Sequence, residues 1–167
     1  MRILIALIAL IALLALMPLS AHAACQAGSE PVQSCSLSGG NKVLDVCLMQ
    51  DSMSYSFGKA GENPDLRLSA PITQAGYVPW NGVGRSIYEE VSFYNQGVTY
   101  LVWYAVDRTI DAHPISGGIV VSQGDKQLAT LSCDANSVIT GFDAVYDRMT
   151  ALGHCWAYET HKWVDCN

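Results

Sequence analysis

The stretch Ser86-Ile-Tyr-Glu-Glu-Val-Ser-Phe-Tyr-Asn-Gln-Gly-Val-Thr-Tyr-Leu-Val-Trp-Tyr-Ala-Val-Asp107 decides the fold. Its two runs are rich in Val, Ile, Tyr, Phe and Trp and are split by Asn95-Gln96-Gly97, a short loop with glycine where a left-handed backbone is needed, so the spacing predicts a β-hairpin. On the first arm Ile87, Glu89, Val91 and Phe93 alternate with Tyr88, Glu90, Ser92 and Tyr94. On the second, Val98, Tyr100, Val102 and Tyr104 alternate with Thr99, Leu101, Trp103 and Ala105. An arm that is apolar on both faces suits a strand in the middle of a sheet, covered on both sides.

Working outward, Lys42 to Met49 and Met53 to Phe57 alternate around Gln50-Asp51-Ser52 and read as another hairpin, followed by a short strand from Asp65 to Ile72 ended near Pro71. Ile115 to Ser122 and Gln127 to Cys133 make a third hairpin about Gln123-Gly124-Asp125-Lys126. Ala24 to Asn41 shows no period and reads as an irregular lead-in. One helix follows Cys133: with Ser137 or Thr140 as its cap, Phe142, Val145, Tyr146, Met149 and Leu152 share a face, and Gly153 lies just past the end. The tail from His154 to Cys166 is aromatic and pinned by cysteines, with a final strand placing Trp156 and Tyr158 on one face. The expected fold is mainly β (α+β): an antiparallel sheet of about seven strands forming a small barrel or sandwich, with one helix in the C-terminal half.

Met1-Arg2 precedes an apolar run from Ile3 to Met17 and an Ala21-His22-Ala23 site, the pattern of a secretory signal peptide over residues 1–23. Residues 24–167 are then a single exported domain, periplasmic or secreted, with no membrane attachment after cleavage. A lipoprotein reading with Cys25 acylated is weakened by His22 at the position that wants an apolar residue. All six cysteines lie in the exported part: Cys25, Cys35, Cys47, Cys133, Cys155 and Cys166. An even count in an oxidising compartment predicts disulfides. Of the many pairings open to six cysteines, the expected set is a local closure of Cys35 with Cys47, Cys133 tied to Cys155 across the helix, and the terminal pair Cys25 with Cys166.

A formal net charge of −6 with no basic run disfavours nucleic acid and anionic membrane as partners. The same charge steers a cationic protein toward the chain. His154 and His161 find no third ligand at a telling spacing, no Cys-x-x-Cys occurs, and Gly82-Val83-Gly84-Arg85 lacks the Lys-Ser/Thr ending of a phosphate loop. No metal and no cofactor is therefore expected. For an enzyme, the acid, base or nucleophile must come from Glu89, Glu90, Asp107, Asp111, His113, His154 and His161. Glu89 and Glu90, adjacent on a strand, point to opposite faces and cannot act as one catalytic pair. No Gly-x-Ser-x-Gly elbow is present.

Two segments read as recognition loops. Gln74 to Arg85 carries Trp80 and Arg85 among glycines, and His113 to Gly118 carries Ser116, Gly117 and Gly118. The Ser116-Gly117-Gly118 tip resembles the short Ser-Gly loop of bacterial periplasmic lysozyme-inhibiting proteins, small exported β domains with disulfides. That resemblance implies a loop inserted into a lysozyme cleft, with Ser116 at its point. The functional expectation is an exported binding protein, in its sharp form an inhibitor or immunity protein acting on a periplasmic cell-wall hydrolase such as lysozyme. The alternatives are a small secreted hydrolase using carboxylate or histidine residues and an envelope protein with only a structural role.

Overall fold

A computed structural model of the chain describes residues 25–166, so the expected signal peptide, 1–23, lies outside the described residues. The chain is mainly antiparallel β: β1 Glu30–Leu37, β2 Lys42–Met49, β3 Ser52–Lys59, β4 Leu66–Pro71, β5 Ser86–Asn95, β6 Val98–Asp107, β7 Ile115–Gln123, β8 Lys126–Ser132 and β9 Ile139–Thr140. Helix α1 (Asp143–Ala151) and the strands β10 (His154–Ala157) and β11 (Lys162–Asp165) complete it. One sheet runs β4-β3-β2-β1-β9, a second runs β5-β6-β7-β8, and β10 pairs only with β11.

The deciding hairpin forms, with its loop shortened to Gln96-Gly97 because Asn95 is paired, and with β6 covered by the described residues on one side only, since Leu101 and Trp103 on its outer face stay half-buried. β5 and β6 pair from Ser86 opposite Asp107 to Asn95 opposite Val98, and β6 sits inside its sheet between β5 and β7. Gln96 and Gly97 both have positive φ, 49° and 80°, the two-residue turn whose twist matches that of the flanking strands. Val91, Phe93, Val102 and Tyr104 of this hairpin face Val32, Leu44, Val46 and Tyr55 of the other sheet in one buried core. Tyr55 bridges the layers, its ring 5.6 Å from both Phe93 and Tyr100. Two sheets packed on a shared apolar interior make a sandwich, and each fully buried aliphatic or aromatic side chain there contributes roughly 1.5–3 kcal/mol.

Several expectations are corrected. The lead-in is not irregular throughout, because residues 30–37 form β1 between β2 and β9. Its period is hidden by a bulge between Pro31 and Gln33 that buries Val32 and Gln33 in succession, and by the polar inward Gln33, whose Nε2 donates to the Trp103 carbonyl at 3.0 Å. The helix is capped at Phe142 without a side-chain bond. Ser137 instead donates to the Ser36 and Asp134 carbonyls, and Leu152 lies past the helix, exposed. The tail is a hairpin rather than one strand. Trp156 is buried in β10, whereas Tyr158 stands in the exposed turn.

All six cysteines are bonded, but in none of the expected pairs: the bridges are Cys25–Cys47, Cys35–Cys133 and Cys155–Cys166. The register explains the failure of Cys35 with Cys47. Cys35 opposes the inward Leu44, while Cys47 opposes Ser54 on the outer, serine-bearing face, so the two sulfurs lie on opposite sides of the sheet. Cys35 meets Cys133 because β1 extends past β8, with Leu37 bridged to Cys133 and Asp134 N–H donating to the Ser36 carbonyl at 2.8 Å. The Cys25 sulfur, engaged by Cys47, is not free for acylation. Three disulfides suit an oxidising, extracytoplasmic compartment, and no helix among the described residues is long and apolar enough to cross a membrane.

Candidate functional site

The residues before β5 extend its sheet. Gly76 and Ser92 exchange backbone bonds at 3.1 and 3.2 Å, and Val78 and Glu90 do so at 2.9 and 3.1 Å. This edge segment carries Tyr77 inward. Its hydroxyl donates to Glu89 Oε2 at 3.1 Å, and Trp80 N–H approaches Glu89 Oε1 at 3.5 Å. Glu89 is thereby the post to which the start of the Trp80 loop is tied.

Beyond Trp80 the chain closes on itself and on its neighbour. The Trp80 indole donates to the Val83 carbonyl at 3.1 Å, and Asn81 Oδ1 accepts the Val83 N–H at 3.1 Å. Gly82 and Gly84, at φ 81° and 103°, supply the left-handed steps that this tight course needs. Arg85 then grips Asp107 Oδ2 through Nε at 2.9 Å and Nη2 at 2.6 Å. Asp107 Oδ1 accepts the N–H and hydroxyl of Thr109 at 2.9 and 2.7 Å. These donors hold its carboxyl well below the usual carboxylate range, with the Arg85 bond the largest cause. Arg108 N–H donates to the Arg85 carbonyl at 3.1 Å. Its guanidinium reaches the Gly84 carbonyl at 3.3 Å and lies 4.9 Å from the centre of the Trp80 ring.

The 79–85 and 108–114 loops are therefore one interlocked end of the sandwich. It holds three apolar side chains out in water: Val83 is 68% exposed, Ile110 44% and Ile115 41%. The sequence marked Trp80 and Arg85 here. It gave no signal for Val83 and Ile110, single apolar residues in polar loops, since only tertiary contacts decide that they stay uncovered.

Ser116, Gly117 and Gly118 are elsewhere in role. They form no loop tip but sit inside β7, opposite Ala105, Tyr104 and Trp103 of β6. Both glycines are buried. A Cβ on Gly117 would press on Gln33 Nε2 and the Trp103 carbonyl, and one on Gly118 would run into the Leu131 carbonyl. The smallness of the glycines serves sheet packing, and Ser116 is an exposed residue of a paired strand, not of a loop tip.

Beside Trp80 an open cleft of about 410 Å³ is lined by Pro79, Trp80, Glu89, Asp143, Tyr146, Asp147 and Tyr158. Its floor acid, Glu89, is 8% exposed. Burial pushes its carboxyl above the ordinary glutamate value against the two bonds it accepts, and the nearby Asp143 pushes the same way. The walls come from the first two turns of α1 and from the tail hairpin, so the cleft joins residues far apart in sequence. The other titratable candidates do not gather there. Glu90 faces outward, accepting the Tyr88 hydroxyl at 2.6 Å. Asp111 and His113 stand exposed on the 108–114 loop, His154 lies 3.3 Å from Asp165, and His161 is in the tail turn. Among the described residues no group of three or more His, Cys, Asp or Glu is placed to hold a metal ion.

No protein-family model, curated protein or solved structure matches this chain. The reading of the site thus rests on its own geometry.

Proposed function

We propose that this chain is an exported binding protein, periplasmic or secreted, that docks a cationic protein partner through the interlocked end built on Trp80. The observation that carries the reading is the interlock itself: Arg85–Asp107 and Arg108 over Trp80 tie the two loops together, and Val83 and Ile110 stand exposed on them. Apolar tips around Trp and Arg anchors match the residue types that dominate protein interfaces. Loops already tied to each other before binding lose less freedom on docking than free ones. The acidic cleft alongside and the net charge of −6 favour a basic partner.

A cell-wall hydrolase such as a lysozyme-type muramidase is the testable form of that partner, now with Trp80 and Val83 rather than Ser116 at the contact. Calorimetric titration of the mature, oxidised protein against a panel of cationic muramidases, at low and physiological salt, should give salt-sensitive binding with loss of peptidoglycan lysis. Val83→Asp and Ile110→Asp should each weaken it at least ~tenfold while leaving thermal unfolding in place. Absence of binding across the panel, or full binding by both variants, rejects the reading.

One observation favours a second reading, a small secreted hydrolase. Glu89 is a buried acid with a raised pKa facing a cleft that also holds Asp143 and Asp147, the setting in which a carboxylic acid keeps its proton for catalysis. Turnover of a glycan substrate that survives Val83→Asp and is lost in Glu89→Gln would establish it.

A further inference from the structure

The tail hairpin is attached to the molecule in an unusual way. β10 and β11 pair only with each other, and a lone two-stranded hairpin is marginal in water. Two devices hold it. Cys155–Cys166 closes its ends, and Trp163, packed within the hairpin on its cross-strand partner Trp156, plugs it into the body: the indole donates to the Tyr77 carbonyl at 2.9 Å and lies 5.7 Å from the Tyr77 ring and 5.5 Å from that of Tyr146. The turn of this hairpin delivers Tyr158 to the wall of the cleft beside Trp80. One wall of the proposed docking site is thus only as firm as the hairpin.

The three disulfides differ in access. Cys155 and Cys166 are both exposed, whereas Cys35 is 2% and Cys47 7% exposed, so each of the other bridges has one shielded sulfur. Thiol–disulfide exchange needs a thiolate to reach a sulfur in line with the S–S bond, so access sets which bridge reacts first.

We infer that Cys155–Cys166 is a redox latch: a dithiol reductant opens it before the other two bridges, frees the tail hairpin and withdraws Tyr158 from the Trp80 cleft. In the first step one thiolate of the dithiol bonds to one exposed cysteine sulfur, and the other cysteine leaves as a thiolate and takes up a proton. The second thiol of the reductant then attacks the mixed disulfide and releases the remaining cysteine. Two electrons and two protons pass from the dithiol to the protein, and the reductant leaves as its own disulfide. Cys25–Cys47 and Cys35–Cys133 remain to hold the sandwich. The opening step stands independently of any partner, while its control of docking rests on the function proposed above.

The test exposes the mature, oxidised protein to graded dithiothreitol, traps thiols by alkylation and maps them by mass spectrometry. Hydrogen exchange of the Trp163 indole N–H and muramidase binding are followed on the same samples. Cys155 and Cys166 should be alkylated at least ~tenfold faster than the other four cysteines. Trp163 exchange should accelerate in step with far-UV circular dichroism unchanged, and muramidase affinity should fall at least ~tenfold. A Cys155→Ser, Cys166→Ser variant should show the fast exchange without reductant. Simultaneous or reversed opening overturns the latch, as does a slow-exchanging Trp163 in that variant. Equal muramidase binding before and after opening overturns its control of the site. Ordered opening with no muramidase bound in either state leaves the latch standing and sinks the docking reading instead.

Discussion

Replacing Cys35 and Cys133 together by alanine tests how the two sheets are kept in register. This bridge joins β1 of one sheet to the end of β8 in the other across 98 residues of chain, against 22 for Cys25–Cys47 and 11 for Cys155–Cys166. If a cross-link stabilises by restricting the unfolded chain, its contribution grows with the logarithm of the loop, giving about 4.7 kcal/mol for the long loop, about 3.4 for the middle one and about 2.8 for the short one. A domain of this kind has only about 5–15 kcal/mol in total, so losing the long bridge removes at least about 30% of it. Urea unfolding at 25 °C followed by far-UV circular dichroism on the three paired Cys→Ala proteins gives the comparison, each midpoint converted through its own slope. The expected order of loss is Cys35/Cys133, then Cys25/Cys47, then Cys155/Cys166. Equal losses, or less than about 2 kcal/mol for the long loop, would refute the loop-entropy reasoning and place the stabilisation in native contacts around each bridge.

Three further outcomes follow from single side chains. Gly118→Ala has to push the Leu131 carbonyl of β8 aside, and thermal unfolding should show a cost of about 1–3 kcal/mol; a neutral result would mean that β7 and β8 separate freely there. Trp163→Ala removes the plug on Tyr77 and Tyr146 and should cost about 3 kcal/mol by the same measurement, with proteolysis after Lys162 accelerated; an unchanged cleavage rate would show that the hairpin is held without it. Glu89 keeps its proton to higher pH in the folded state than in the unfolded chain, so folding binds a proton and stability drops as pH rises from the ordinary glutamate range through the raised value. Glu89→Gln should flatten that part of the curve, gaining on the wild type as pH rises above the ordinary glutamate range, and parallel urea-midpoint curves for the two proteins would contradict the burial of a protonatable acid.

Much of the fold was legible because its decisive signals are local. The alternation along Ser86–Asp107 and the glycine turn after Asn95 are properties of neighbouring residues, and the structure follows them in the β5–β6 pairing and in the central place of β6, although no second layer among the described residues covers the outer face of β6. β1 escaped because a bulge and the inward Gln33 erase its period, and Gln33 is tolerated only because Trp103, seventy positions away, offers it a carbonyl. The candidate site divides in the same manner. Trp80 and Arg85 announce themselves by type in a glycine-rich loop, whereas Asp143, Tyr146 and Asp147 read as ordinary helix positions until α1 is laid against the Trp80 segment.

The sequence by itself determined that this chain forms antiparallel sheets with one helix and carries disulfides, since periodicity, turn residues and an even set of cysteines are written along the chain. Tertiary structure alone decided which cysteines meet, that Ser116-Gly117-Gly118 belongs to a paired strand instead of a probing loop, and that Glu89, α1 and the tail hairpin line one cleft. The physical reason is that strand register fixes which face a side chain takes, and the packing of the two sheets fixes what it then meets. Both depend on contacts between residues tens of positions apart, whose energies no local window of sequence contains.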